Sequence, residues 1–455
     1  MKISSVNPAT GKTIRSYTAH SEKQASAKID QTHRAWLHWR ETPLEQRAAL
    51  LKKMAKVLLK NKDAYAELMA QEMGKPLAQG LAEVQKCADC CTYYAENSAG
   101  HLADIGIKTE AEKSYVTFRP LGVVLAIMPW NFPFWQVFRF LAPALMAGNC
   151  GVLKHASNVP GCALAIEESV REAGFPDHVF QTLLVGSKDT DALISHPHIK
   201  AVTLTGSTPA GRHVAAKAGS LLKKTVLELG GSDAYVILED ADLEKAAGIC
   251  ADSRIINSGQ SCIAAKRFIV VKSVEKEFTR LFVEKMRVKK VGDPMDKETA
   301  IGPMARFDLR DELHGQVEKS VEMGAKILTG GKIPGEKGAY YPPTVLGNVK
   351  KGMPAHDEEL FGPVAAVIVA KDEEDAFRIA NDSVFGLGGA VFTRNSKKGE
   401  ELAAKKLEAG ACFVNTLVKS DPRLPFGGIK ESGYGRELGM FGIHEFVNIK
   451  TVYVA

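Results

Sequence analysis

The sequence predicts an α/β protein: a doubly wound parallel sheet of Rossmann type, then a second α/β unit, with short strands at two margins. Three patterns carry this expectation. From Gly122, apolar runs alternate with helix-like stretches: a run over 123–128, a helix over 137–147, a run over 151–154, a helix over 163–173, a run over 179–185, a polar helix and a run over 201–205. Parallel strands joined by crossover helices produce this rhythm. After Gly231 a second alternation places runs at 235–238, 267–271, 365–370 and 411–415 between long charged helices. Ahead of both, residues 20–100 read as helices, with apolar positions three and four apart from Arg47 to Leu59 and from Ala64 to Met69. Residues 114–118 and 448–455 alternate well enough to be strands.

At 455 residues the chain exceeds what one hydrophobic core supports, so two or three domains are expected, and 45% apolar residues suit a soluble globular enzyme. Lys and Arg outnumber Asp and Glu only by 59 to 53 and are scattered among them, which argues against nucleic acid or an anionic membrane as partner. A small molecule is the expected partner. The N-terminus has no apolar run suited to a secretory signal, and the most apolar stretches are broken by Pro129, Asn131, Pro143 and Asn149, so a cytoplasmic location is expected. Eight cysteines are too sparse for a disulfide scaffold. Cys87, Cys90 and Cys91 have helix-like flanks and no histidine or second pair nearby, so they are expected to pack a helix, with no metal site.

Chemistry concentrates in Asn257-Ser-Gly-Gln-Ser-Cys262. Small, turn-forming residues set the sulfur beside exposed backbone N–H groups, which favours a thiolate nucleophile. Upstream, Leu227-Glu228-Leu-Gly-Gly231 sets a carboxylate in apolar surroundings, where desolvation raises its pKa toward that of a useful base. Asn131, within Met128-Pro-Trp-Asn-Phe-Pro-Phe-Trp135, offers the neutral amide donor that an oxyanion needs. In this order and spacing, and from the Asn7-Pro-Ala-Thr-Gly11 opening to the C-terminal strand, the chain resembles the aldehyde dehydrogenase superfamily, most closely its short bacterial succinate-semialdehyde dehydrogenase branch.

The resemblance implies a cofactor-binding domain over 1–104 and 119–230 and a catalytic domain over 231–430. An arm over 105–118 and 443–455 would pair with a neighbouring subunit in a homodimer or homotetramer, hiding strand edges. It implies that Cys262 adds to an aldehyde carbonyl and that the Asn131 amide and the Cys262 N–H hold the oxyanion. Hydride then leaves to NAD(P), and Glu228 activates the water that hydrolyses the thioester. It also assigns Lys154 and Ser157 to the adenosine ribose and Gly206, Ser207 and Gly211 to the pyrophosphate turn. Glu359 goes to the nicotinamide ribose, with Phe361 and Trp130 in the same cofactor site. Read alone, Gly206-Ser-Thr-Pro-Ala-Gly211 is a strand-to-helix turn that departs from G-x-G-x-x-G, and Glu358-Glu-Leu-Phe-Gly-Pro363 is an acidic turn or surface loop. Glu437 matches a family glutamate given a proton-relay role, or begins a helix.

Two finer expectations follow. Relatives that prefer NAD carry a glutamate where Lys154-His-Ala-Ser157 has a serine, so NADP is expected to be favoured, with Ser157 donating to a 2′-phosphate and Lys154 adding charge. The substrate is expected to be an aldehyde with a carboxylate at its far end, succinate semialdehyde above others. If Pro133 begins a helix, Trp135 and Arg139 continue the face of Asn131, and Arg139 forks the carboxylate, with Ser261, Ser420 and Arg423 as further donors. Longer relatives have a second arginine where this chain has Ile256, so some turnover of uncharged aldehydes is expected. A broader aliphatic aldehyde dehydrogenase and a coenzyme-A-acylating enzyme are the alternatives; Glu228 argues against the second. With Ala264 two residues past Cys262, the loop holds no close disulfide partner.

Overall fold

The computed structural model describes residues 2–335 and 337–455. An antiparallel hairpin opens the chain, β1 (Lys2–Val6) with β2 (Thr13–Thr18), its turn closed by the Gly11 N–H on the Asn7 carbonyl at 2.7 Å. Four helices follow, α1 (Glu22–Trp39), α2 (Leu44–Lys60), α3 (Lys62–Met73) and α4 (Leu77–His101), as the three-and-four spacing predicts. Ser21 and Gln24 form a capping box that fixes the start of α1. Cys87, Cys90 and Cys91 are buried on α4, which packs against α2, α3 and the helix after the first sheet strand.

Short strands β3 (Ile105–Gly106) and β4 (Lys113–Pro120) lead into the doubly wound unit. Its elements are β5 (Val123–Met128), α5 (Trp135–Met146), β6 (Cys150–His155), α6 (Pro160–Glu172), β7 (Phe180–Thr182), α7 (Thr190–Ser195), β8 (Ile199–Thr205), α8 (Thr208–Ser220) and β9 (Lys224–Glu228). The parallel order is β9-β8-β5-β6-β7. Its strands are almost wholly buried, which is why they read as continuous apolar runs. The chain first winds outward from β5 through β6 to β7, then returns to β8 on the other side. The crevice at the carboxyl ends of β5 and β8 is therefore the topological switch point, where ligands bind in open α/β sheets.

The second unit comprises β10 (Ala234–Ile237), α9 (Leu243–Ile255), β11 (Arg267–Val271), α10 (Glu275–Arg287), α11 (Phe307–Glu322), β12 (Lys326–Thr329), β13 (Thr344–Gly347), α12 (Pro354–Asp357), β14 (Val364–Ala370), α13 (Glu373–Asn381), β15 (Phe385–Gly386), β16 (Gly388–Phe392), α14 (Ser396–Lys405) and β17 (Ala411–Val414). Seven strands run in the order β12-β13-β14-β11-β10-β16-β17, parallel except for β12. The pattern of apolar runs did not reveal β16, because Gly388 and Gly389 imitate a turn. Gly388 is required there: a Cβ would collide with the Asp233 carboxylate, which accepts the Gly388 N–H at 3.0 Å.

The chain closes with β18 (Ile429–Lys430), β19 (Gly433–Tyr434), α15 (Gly439–His444) and β20 (Val447–Val454). β19 adds antiparallel to β9, and β20 pairs with β4 over its full length in the three-stranded sheet β20-β4-β3. Ile449, Tyr453, Ile105 and Ile107 leave that small sheet largely exposed.

Two local expectations are corrected. The first full turn of α5 begins at Trp135, not Pro133. The polar helix before β8 is only the six-residue α7 behind a 3₁₀ turn. Among the described residues no helix is long and apolar enough to cross a membrane.

Candidate active site

The loops at the carboxyl ends of β5 and β8 face the loops at the amino ends of β10, β11, β14 and β16. Between them lies a cleft of about 480 Å³. The first sheet contributes Trp130, Asn131, Gly206 and Ser207; the second contributes Gly230, Cys262, Glu359 and Phe361. Residues far apart in sequence meet because the switch point of one sheet abuts the strand starts of the other.

The loop ending in Cys262 is held in an uncommon backbone path. Asn257, Ser258 and Gly259 all take positive φ, at 52°, 57° and 77°. A Cβ on Gly259 would strike the Gly362 carbonyl, so only glycine fits. Every neighbour is pinned. Asn257 Nδ2 donates to the Asn131 carbonyl (2.7 Å) and its N–H to Gln79 Oε1 (2.6 Å), Ser258 Oγ accepts from Gly302 (2.9 Å), Gln260 Oε1 accepts from Ala305 (2.9 Å), and buried Arg254 donates to the Gly259 carbonyl (2.6 Å). Lys266 Nζ, fully buried, donates to the carbonyls of Ser261 (2.8 Å) and Cys262 (2.6 Å) and pairs with Glu359 at 3.3 Å.

Cys262 is half-buried at the cleft. Burial pushes its thiol up to about 12, against the pull of Lys266 and Arg139. This corrects the expectation of a thiolate-favouring setting: in the free protein desolvation outweighs both cations, and the sulfur is protonated. The Cys262 N–H has no acceptor among the described residues and is free to donate. Asn131 Nδ2 donates to the Gln260 carbonyl at 3.1 Å, which ties the second expected donor to the same loop and leaves one of its hydrogens over.

Glu228 ends β9 behind this wall. It is 2% exposed, and neither carboxylate oxygen has a hydrogen-bond partner. Burial first, then Glu437, raises its pKa well above the carboxylate range, while Arg139 and Arg436 oppose them. Its carbonyl accepts the Gly206 N–H at 3.0 Å, joining this strand end to the Gly206 turn.

Arg139 is also buried and pairs through Nε with Glu437, while Nη2 donates to Thr205 Oγ1 at 3.2 Å and the guanidinium lies 5.0 Å from the Phe426 ring. The expected free fork is thus corrected, because a guanidinium taken out of water requires a counter-charge, and Glu437 provides it. Glu437 is that partner and not the start of a helix.

Two other expected donors are elsewhere. Arg423 is exposed and clamped by Asp421 at 2.8 and 2.6 Å, and Ser261 is buried with only its carbonyl engaged. Ser420 accepts from Lys86 Nζ at 2.7 Å, and Lys86 lies 4.3 Å from the Trp135 ring centroid.

The cofactor set is only partly gathered. Glu359 accepts the Gly231 N–H at 3.0 Å and is no loose surface acid, and Phe361 meets Trp130 edge-on at 5.7 Å. Gly211 opens no space of its own: a Cβ there would strike Leu229, so glycine lets α8 approach the wall of the cleft. Lys154, at the end of β6, is buried, which lowers its pKa while Asp189 opposes the shift. Ser157 is exposed beside it and lines a small separate recess. No carboxylate stands at position 157.

Sequence reasoning missed Lys266, Lys86 and the buried pair Lys75–Glu83 (2.6 Å), in which Glu83 Oε1 accepts the N–H groups of Phe134 and Trp135 at 2.9 Å and so caps α5. A lysine in a helix or beside a strand carries no sequence signal of burial. Only the glycine-poor entry to α5, which lacks a capping side chain of its own, hinted that a distant acid was needed.

Fold and site together define an aldehyde dehydrogenase, and the chain belongs to the aldehyde dehydrogenase family, whose profile matches residues 1–452. It is 50% identical over 455 residues to the probable NADP(+) succinate-semialdehyde dehydrogenase of Synechocystis sp., with all of both chains covered. It is 46% identical to the NAD(P)+ succinate semialdehyde dehydrogenase of Escherichia coli K12, covering 99% of this chain and 97% of that one. The solved succinic semialdehyde dehydrogenase of Streptococcus pyogenes, in complex with NADP+, superposes with a TM-score of 0.97 at 36% identity over 99% of both chains.

Proposed function

We propose that this enzyme oxidises succinate semialdehyde to succinate with NADP, through a thioester on Cys262. The observation that carries the chemistry is one half-buried thiol and one amide donor at the switch-point cleft, with one buried carboxylate behind its wall acting on the thiol. The substrate and cofactor are those named for the full-length relatives at 46–50% identity.

The Cys262 thiol gives up its proton to water in the cleft, and the thiolate adds to the aldehyde carbon. The oxyanion that forms is held by the Cys262 N–H and the Asn131 amide, donors fixed before the charge appears. A bound NADP would supply the cationic nicotinamide that takes up the hydride. Glu359, anchored by Gly231 and Lys266, is positioned to hold its ribose. Glu228 then turns from its buried pocket toward Cys262, takes a proton from water, and the hydroxide displaces the thiol to give the acid. Arg139 and Glu437 flank Glu228 and set the charge it moves away from.

On this reading residues 1–104 and 119–230 bind cofactor and 231–430 carry the nucleophile. The strands over 105–118 and 443–455 join a second subunit in a homodimer or homotetramer in the cytoplasm. The test is kcat/KM with NADP for succinate semialdehyde and for butanal. We expect the acid to be preferred at least about tenfold, as one charge-assisted contact predicts. Equal values would remove the carboxylate from the account, and dependence on coenzyme A would replace water as the acceptor.

A further inference from the structure

A second cavity of about 330 Å³ begins one residue beyond Asn131. Phe132, Trp135, Ile255 and Ile256 form its apolar walls, and Lys86 from α4 enters it. Lys86 Nζ is held over the Trp135 ring at 4.3 Å and donates to Ser420 Oγ at 2.7 Å, so its position is set from two sides. Among the described residues it has no carboxylate partner. The two acids on the same walls are already paired, Glu83 with Lys75 at 2.6 Å and Asp252 with Lys289 at 2.5 Å. The two cations that act on the thiol are also paired, Arg139 with Glu437 and Lys266 with Glu359. Lys86 is thus the one ammonium at this cavity whose charge is unspent.

Building on the substrate proposed above, we propose that Lys86 is the residue that selects the acid: its ammonium, with the Ser420 hydroxyl, receives the carboxylate at the far end of the semialdehyde. An anionic ligand supplies the counter-charge that the fold withholds, and a charge-assisted N–H···O contact in apolar surroundings is among the stronger ones available. The cavity starts at Phe132, next in sequence to the oxyanion donor Asn131, and reaches Lys86 on α4. Ile256 supplies no charge to the same cavity, so selectivity rests on Lys86.

The charged and titratable groups around this ammonium are Glu83, Cys87 and Cys90 on its own helix, Arg139 on α5 and Asp252 on α9; Asp421, next to Ser420, is bound by Arg423. Burial, then Arg139, lowers its pKa to about 8. The charge is therefore present below about pH 8 and is lost above it.

The experiment compares kcat/KM for succinate semialdehyde and butanal, with NADP, in wild type, Lys86→Met and Lys86→Arg across pH. Methionine keeps the packing on Trp135. Lys86→Met is expected to lose roughly ten- to a hundred-fold on the acid and less than about threefold on butanal, and Lys86→Arg to recover most of the loss. In wild type the acid-to-butanal ratio should fall above about pH 8 and in Lys86→Met it should stay flat. Equal losses on both aldehydes, or a wild-type ratio that does not change with pH, overturn the assignment of Lys86 while leaving the substrate standing. No preference for the acid in wild type overturns the substrate and this assignment with it. The wild-type profile decides the matter even if the methionine variant fails to fold.

Discussion

At the scale of single residues, the site works through groups whose ordinary properties are altered by burial. Glu228 has both oxygens unpartnered, and burial holds its pKa well above the carboxylate range. A base must be deprotonated, so steady-state turnover limited by thioester hydrolysis should rise with pH through that raised pKa. A pH profile of kcat that is flat from the usual carboxylate range upward would contradict this. Asn131→Ala removes one oxyanion donor and should lower kcat by roughly 10²–10³-fold with little change in NADP affinity, checked by stopped-flow turnover and fluorescence titration. Both residues were legible in the sequence through their order and spacing ahead of Cys262, since Leu-Glu-Leu-Gly-Gly by itself could be any strand end. The state of Cys262 was not: the motif suggested a thiolate, but the sulfur's desolvation depends on walls contributed by distant segments.

At the scale of elements, the loop before β11 is the most constrained piece of backbone in the site. Gly259→Ala meets both a positive φ and the Gly362 carbonyl. It should destabilise the protein by about 1–3 kcal/mol in urea unfolding and reduce the rate at which iodoacetamide labels Cys262. An unchanged midpoint and labelling rate would show that the loop relaxes.

The end of β6 gives a second test. His155 is buried, donates through Nε2 to the Pro133 carbonyl (2.9 Å), accepts the Ala156 N–H at Nδ1 (2.9 Å), and has its pKa lowered to about 4 by burial. The unfolded ring takes a proton below about pH 6.5 and the folded ring does not. Stability from this group is therefore complete above that value and is lost as pH falls toward 4. Between neutral pH and about pH 5, wild type should lose about 2 kcal/mol more than His155→Gln in chemical denaturation; parallel losses would contradict it. The strands β5, β6 and β8 were legible as apolar runs, whereas β16 was hidden by its glycines and the start of α5 by a cap that comes from Glu83 on another helix.

At the scale of the whole molecule, two parallel sheets meet with the carboxyl ends of one against the amino ends of the other, which puts a cofactor crevice and a strand-start cysteine in one cleft. The alternation of runs foretold each sheet, but nothing local states how two sheets face each other. That was carried by the resemblance of the motifs. Cofactor choice belongs to this scale, because β6 ends at His155 and so brings Lys154, with Ser157 just beyond, to the carboxyl end of the first sheet. Ser157→Glu should raise KM for NADP at least about tenfold by charge repulsion and leave KM for NAD within about threefold. A wild type that already prefers NAD would contradict the reading.

The central claim is that Cys262 forms the thioester and Glu228 releases it. Rapid mixing of Glu228→Gln with succinate semialdehyde and NADP tests it directly. The account predicts a burst of about one NADPH per Cys262, followed by steady turnover roughly 10²–10⁴-fold below wild type. Full steady turnover without a burst would contradict it.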